Sequence, residues 1–247
     1  MPKITNALWK RQKYYLHKML ETILHRLLIP REFYNKLNWY FDADALLYQL
    51  GLDSDQNKQF YSEFVALEAA LSKRVFSKDL IYPDHYKMEN GSAFLLYSII
   101  RKIKPQKIVE TGVANGISSY YIQHALLNNG KGRLISIDIS EDVGTILTQE
   151  EKENWELIIL SKPSKSQFKK TLSKIGAIDI FLHDSNHNYR WQSIEYNSAF
   201  LQIRPNGFLM SDDIDSSYAF LDFIEKNKCH ALTLFDKRKM FGIVPKI

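Results

Sequence analysis

Two short segments carry side chains able to move a proton or hold a cation: His183-Asp184-Ser185-Asn186-His187 and Ser211-Asp212-Asp213. Each follows an apolar run, Ile178–Leu182 and Phe208–Met210, of the kind that builds a buried parallel strand. On neighbouring strands, Asp184, Asp212 and Asp213 meet around one spot at the carboxyl edge of the sheet. Three carboxylates that close repel strongly unless a cation or a proton joins them. Their oxygens suit a hard ion, Mg²⁺ first and Ca²⁺ or Mn²⁺ as alternatives, whereas zinc recruits Cys or several His. His187 lies three residues beyond Asp184 and, with an ordinary pKa of about 6.5, is the residue type suited to take a proton from a hydroxyl. The alternative for the set is structural, with the carboxylates capping helices at strand ends and His183 packed beside its strand.

A second constellation precedes these. Ile108-Val109-Glu110-Thr111-Gly112-Val113-Ala114-Asn115-Gly116 is a β-branched run that ends in an acid and turns through two glycines toward Ser118-Ser119-Tyr120. Glycines permit backbone angles and close approaches that a Cβ forbids, and the N–H groups of a following helix face whatever lies in the turn. A dinucleotide site uses G-x-G-x-x-G to press backbone against a pyrophosphate. Here Ala114 replaces the middle glycine, giving E-x-G-x-x-x-G. Asp138 closes the next apolar run, Leu134-Ile135-Ser136-Ile137. At the end of an adjacent strand its carboxylate can accept both ribose hydroxyls of a nucleoside, or instead cap the turn before Ser140-Glu141.

The E-x-G-x-x-x-G turn resembles motif I of the class I S-adenosylmethionine-dependent methyltransferases, in which the glycine turn holds the methionine part of the cofactor. The D-S-N-H and D-D segments resemble metal-dependent small-molecule O-methyltransferases, especially those acting on sugar hydroxyls of natural products, and the related cephalosporin hydroxylase-like group. The resemblance spans about residues 90–215. It implies an S-adenosylmethionine site built by Glu110, Gly112, Ala114, Gly116, Ser118, Asp138, Gln167 and His183, with Ser166 also on the adenine side. It further implies Asp184, Asp212 and Asp213 as Mg²⁺ ligands and His187 as general base, with Asp184 beside it in the catalytic set. Relatives commonly carry Glu-Asp where this chain has Asp212-Asp213, a shorter first side chain. The Asn/Asp-Pro-Pro-aromatic motif of enzymes that methylate base amino groups is absent after the fourth strand. The expected activity is therefore O-methylation of a sugar or other small molecule. Methylation of nitrogen in nucleic acid or protein, and a non-catalytic or hydroxylase-like relative, are the alternatives.

These residues need a scaffold of alternating strands and helices. Strands are expected at 107–111, 134–138, 156–160, 178–183 and 207–211, with helices near 117–128, 164–175, 188–203 and 216–227. A terminal pair, about 230–235 and 240–245, should form a hairpin across Lys237-Arg238-Lys239. The result is an α/β, Rossmann-like doubly wound sheet; the resemblance makes it seven-stranded with an antiparallel terminal strand. Asn90 or Ser92 should cap a helix running to Ile103, before Pro105. Upstream, residues 1–86 read as a helical extension and 87–247 as the catalytic domain. The extension holds an amphipathic basic helix from Trp9 to Ile29, an aromatic stretch over 33–50, a helix near 56–75, and a loop, Ile81–Tyr86, placed to act as a lid with His85 on its surface.

Residues 1–40 hold eight Lys or Arg against two Asp or Glu, +6, so of the net +5 the remaining 25 basic and 26 acidic residues contribute −1. A near-neutral catalytic domain argues against a nucleic-acid surface. The basic helix fits peripheral contact with an anionic membrane, or packing within a homo-oligomer. The single cysteine, Cys229, cannot form an internal disulfide and suits the cytoplasm. No apolar run of about eighteen residues is present to span a bilayer.

Overall fold

A computed structural model of the chain describes residues 36–78, 80–83, 86–237 and 239–247. The basic segment Trp9–Ile29, with its membrane reading, and His85 lie outside the described residues. In order, the elements are β1 (Trp39–Tyr40), α1 (Ala43–Gln49), α2 (Ser54–Phe76), α3 (Asn90–Ile103), β2 (Lys107–Thr111), α4 (Ile117–Asn129), β3 (Arg133–Asp138) and β4 (Trp155–Ile159). They continue with α5 (Lys165–Ile175), β5 (Ile178–His183), α6 (Tyr189–Ala199), β6 (Ile203–Ser211), α7 (Ala219–Asn227), β7 (Leu232–Asp236) and β8 (Lys239–Pro245).

The strands form one sheet in the order β1-β7-β8-β6-β5-β2-β3-β4. β2, β3, β4, β5 and β6 run parallel, and β8 alone runs antiparallel to both its neighbours. Successive strand residues serve opposite faces, as pleating requires. Ile108, Ile180, Leu182 and Met210 pack with α2, α3 and α4, while Val109, Phe181 and Leu209 pack with α5, α6 and α7. Seven strands were expected. The eighth is β1, whose Trp39 and Tyr40 pair with Thr233 and Leu234; two residues are too few for an alternation pattern to show.

The described part of the extension shares the sheet's core, since Leu46, Leu47, Phe60, Phe64 and Leu71 join the cluster that contains Leu95, Tyr121 and Leu182. α2 begins where Asp53 accepts from Asp55 N and Gln56 N, a side-chain cap at the first turn. α3 starts differently from the expectation, because neither Asn90 nor Ser92 is its N-cap; Glu89 is, and its side chain makes no capping bond to the helix's own N–H groups. Asp236, at the end of β7, accepts from Ser92 N at 2.7 Å and Ser92 Oγ at 3.1 Å, so a distant carboxylate does the work of a local cap. α6 stops at Ala199 and β6 begins at Ile203, earlier than expected, with Asn206 taking φ +63° where the β5–β6 register shifts. The Lys residues of α5 form a solvated face, Lys165, Lys169, Lys170 and Lys174 all being exposed.

Candidate active site

The turn after β2 is held from both sides. Gly112 takes φ +79°, and a Cβ there would stand 2.1 Å from the carbonyl oxygen of Asp184. Asp184 N in turn donates to Thr111 O at 2.9 Å, so the β2 and β5 exits touch backbone to backbone. Gly116, at φ +95°, faces the Cα of Gly144, which a Cβ would meet at 2.9 Å. Ala114 adopts φ +47°; the position asks for a left-handed residue even though the sequence supplies an alanine.

Glu110 and Ser118 lie inside the protein. The Glu110 carboxylate is fully buried and accepts from Ser136 Oγ at 2.6 Å, Ser118 Oγ at 3.3 Å and Ser119 Oγ. Burial raises its carboxyl to about 7 against the pull of these hydroxyls. Asp138 stands half-buried at the end of β3. Its Oδ2 accepts from Val113 N at 2.9 Å, and its Oδ1 from Ile139 N at 2.6 Å and Ser140 N at 3.1 Å. The turn-capping role therefore holds in this structure, and it also fixes the carboxylate beside the glycine turn. Gln167, on the first turn of α5 with Ser166, exchanges hydrogen bonds with Ser161 Oγ at 3.0 and 3.3 Å.

The loop expected to act as a lid is fastened to this turn. Asn115 Nδ2 donates to Tyr82 O at 2.8 Å, and Tyr82 N donates to Asn115 Oδ1 at 3.0 Å. Tyr82 is buried with Val113 and Val143, and Tyr86, Trp155 and Leu157 pack around them.

At the ends of β5 and β6 the predicted acids do converge, and a residue not foreseen stands among them. Lys239 Nζ lies 3.0 Å from Asp212 Oδ2 and 3.2 Å from Asp213 Oδ2, and is 3.5 Å from Lys87 O. The Lys239 side chain is 5% exposed. Burial works against its ammonium, but Asp212, Asp213 and Asp184 outweigh that and raise its pKa. Burial and the mutual repulsion of the acids push the carboxyls of Asp184 and Asp212 upward, with Lys239 opposing. Asp212 Oδ1 is enclosed without a hydrogen-bond partner among the described residues. Asp213 holds φ +50°, a left-handed conformation that short polar side chains tolerate.

His187 completes the group. Its Nδ1 is 3.3 Å from Asp213 Oδ2 and its Nε2 3.7 Å from Asp184 Oδ1, and Ser216 Oγ donates to its carbonyl at 2.9 Å. His183 lies behind it, fully buried, with ring centroids 5.3 Å apart. Its Nδ1 is 2.5 Å from Glu195 Oε2, which also accepts from Thr111 Oγ1 at 2.5 Å, while Glu195 Oε1 accepts from Ser185 Oγ at 2.9 Å. His183 is thus a support of the β5 end.

Lys239, Glu195 and Asn115 were missed. Lys239 was read as part of a polar hairpin turn, yet it is the first residue of β8. The usable signal was direction: an antiparallel last strand must begin at the carboxyl edge where the acids sit. Glu195 is one acid on an amphipathic helix, and nothing in its spacing sets it apart.

A mostly parallel sheet that carries the glycine turn, Asp138 and the Asp–His cluster at one edge is the arrangement expected from the resemblance to class I, S-adenosylmethionine-dependent methyltransferases. Consistent with this, residues 109–214 match the model of a family described as a methyltransferase domain. The O-methyltransferase from Bacillus cereus, solved in complex with S-adenosylhomocysteine, is similar in fold at 15% identity, over 83% of this chain and 98% of that one, with a TM-score of 0.52. The Podospora anserina methyltransferase PaMTH1, also bound to S-adenosylhomocysteine, aligns at 13% identity over 79% of this chain and 89% of that one, with a TM-score of 0.53. No curated protein matches the chain by sequence.

Proposed function

We propose that this methyltransferase acts on oxygen, transferring the methyl group of S-adenosylmethionine to a hydroxyl of a sugar or another small molecule. The observation that carries the reading is His187, held by Asp213 at 3.3 Å at the strand end that touches Gly112. With Nδ1–H directed at Asp213, Nε2 is the nitrogen that accepts a proton. S-adenosylmethionine, when bound, supplies the electrophilic sulfonium methyl. The backbone of Gly112–Gly116 would hold its methionine part, Asp138 its ribose, and Ser166 with Gln167 its adenine side. His187 takes the acceptor's proton as the oxygen–carbon bond forms and the carbon–sulfur bond breaks, the sulfur keeping the electron pair. General-base help of this kind contributes about 10²–10⁴-fold, and the rest is positioning.

The Mg²⁺ implied by the sequence resemblance does not fit the donors as they stand. Among the described residues no three His, Cys, Asp or Glu are grouped to hold a metal, and Lys239 occupies the carboxylates a metal would need. A cytoplasmic setting is supported by the single cysteine, Cys229.

Calorimetric titration with S-adenosylhomocysteine tests the cofactor site, and Asp138→Ala should weaken binding at least tenfold. Transfer of labelled methyl to a panel of sugar and catechol hydroxyls tests the reaction. His187→Gln should lower transfer at least a hundredfold while leaving S-adenosylhomocysteine binding in place. A wild-type chain that gives no binding heat would sink the proposal.

A further inference from the structure

We infer that Lys239 is the resident cation of the Asp184–Asp212–Asp213 cluster, standing where a divalent ion would otherwise bind, so that the methyl transfer needs no divalent metal. The inference rests on the methyltransferase reading and deepens it. Topology brings the residue there: β8 runs antiparallel to β6 with Gly242 opposite Ser211. Lys239, three positions before Gly242, therefore projects past the end of β6 toward Asp212 and Asp213. Its ammonium reaches one oxygen of each at 3.0 and 3.2 Å. Magnesium demands ligand oxygens at about 2.0–2.1 Å in near-octahedral array. To enter, it would have to displace a buried ammonium from the same two carboxylates or share them with it at short range, and two cations so close repel.

The arrangement also says what removing the ammonium should do. Asp212 and Asp213 would lose the ammonium that lies 3.0 and 3.2 Å from them, and the enclosed Asp212 Oδ1 would be available as a further ligand oxygen. That is the oxygen set a hard ion takes.

The test is Mn²⁺ titration of the full chain, followed by the paramagnetic resonance of the free ion, with S-adenosylhomocysteine calorimetry on the same samples. Wild type should leave Mn²⁺ free at stoichiometric concentrations, and Lys239→Ala should take up one ion per chain at least tenfold more tightly. Uptake of one Mn²⁺ by wild type that Asp212→Asn abolishes overturns the inference. So does a Lys239→Ala chain that binds S-adenosylhomocysteine yet gains no ion. If Lys239→Ala does not fold, wild-type transfer in EDTA decides: an unchanged rate supports the inference, and a rate lost in EDTA and restored by Mg²⁺ overturns it. Absence of S-adenosylhomocysteine binding removes the methyltransferase reading, whereas Mn²⁺ uptake by wild type removes only the role of Lys239.

Discussion

Asn115 and Tyr82 hold each other by two hydrogen bonds, 2.8 and 3.0 Å long, between the side-chain amide of one and the backbone C=O and N–H of the other, 33 residues away. An asparagine can satisfy a buried N–H and C=O together because it carries both a donor and an acceptor. The glycine turn and the loop over it are thereby one unit. Asn115→Ala should strand both backbone groups of Tyr82 and cost about 1–3 kcal/mol. Thermal unfolding and the rate of proteolysis near Tyr82 measure it; an unchanged rate would show that the loop is held by its apolar contacts alone.

Two of the turn's left-handed positions, Gly112 and Ala114, should respond in opposite ways. Gly112→Ala forces a Cβ onto the Asp184 backbone at 2.1 Å, and backbone cannot swing aside as a side chain can. We expect a loss of at least about 3 kcal/mol, seen as a lowered melting temperature or lost soluble yield. Ala114→Gly relieves a left-handed alanine and should add up to about 1 kcal/mol, about 2–4 °C in melting temperature.

Glu110 should make the fold less stable as the solution becomes alkaline. Its carboxyl holds a proton to about 7 in the folded chain but only to about 4.3 when unfolded. The folded state therefore binds more protons between these values. The stability this contributes is complete below the unfolded value and is lost as pH rises through the folded one, about 4 kcal/mol in all. In denaturant titrations Glu110→Gln should lack that decline. Parallel curves for the two proteins between pH 4.5 and 8 would refute the assignment.

Glu151 should behave in the opposite sense. Burial alone would raise its carboxyl, but hydrogen bonds from His124, Arg74 and the Thr148 N–H bring it down to about 2. Its contribution is present above the unfolded value and is lost as pH falls through about 2. Arg74 Nη1 reaches Glu151 at 2.7 Å and Ile146 O at 3.1 Å, joining α2 to the loop beneath the turn. Arg74→Met should cost about 2 kcal/mol at neutral pH and move acid unfolding to higher pH, which circular dichroism against pH will show.

Much of this was legible in the chain because period-two apolar runs and glycine turns are local signals. Ile108-Val109 and Leu134-Ile135 state their strands outright, and the acids at 138, 184, 212 and 213 follow from where those strands end. What escaped depends on partners far apart in sequence. Asp236 caps α3 from 144 residues away, and Lys239 meets the acids only once β8 has turned back along β6. Three crowded carboxylates need a cation or a proton among them, and Lys239, 3.0 Å from Asp212 and 3.2 Å from Asp213, is a cation that only the folded chain brings there.

The short β1 has a consequence for handling the protein. Asn38 O accepts from Thr233 N at 2.9 Å, and Trp39 and Phe41 lean on Phe235. Together they cover the backbone of β7, which would otherwise be the open margin of the sheet. An uncovered margin is a template on which strands of other copies can grow. Trimming the chain to begin at α1, so as to isolate the Rossmann-like fold, should therefore yield a protein that self-associates.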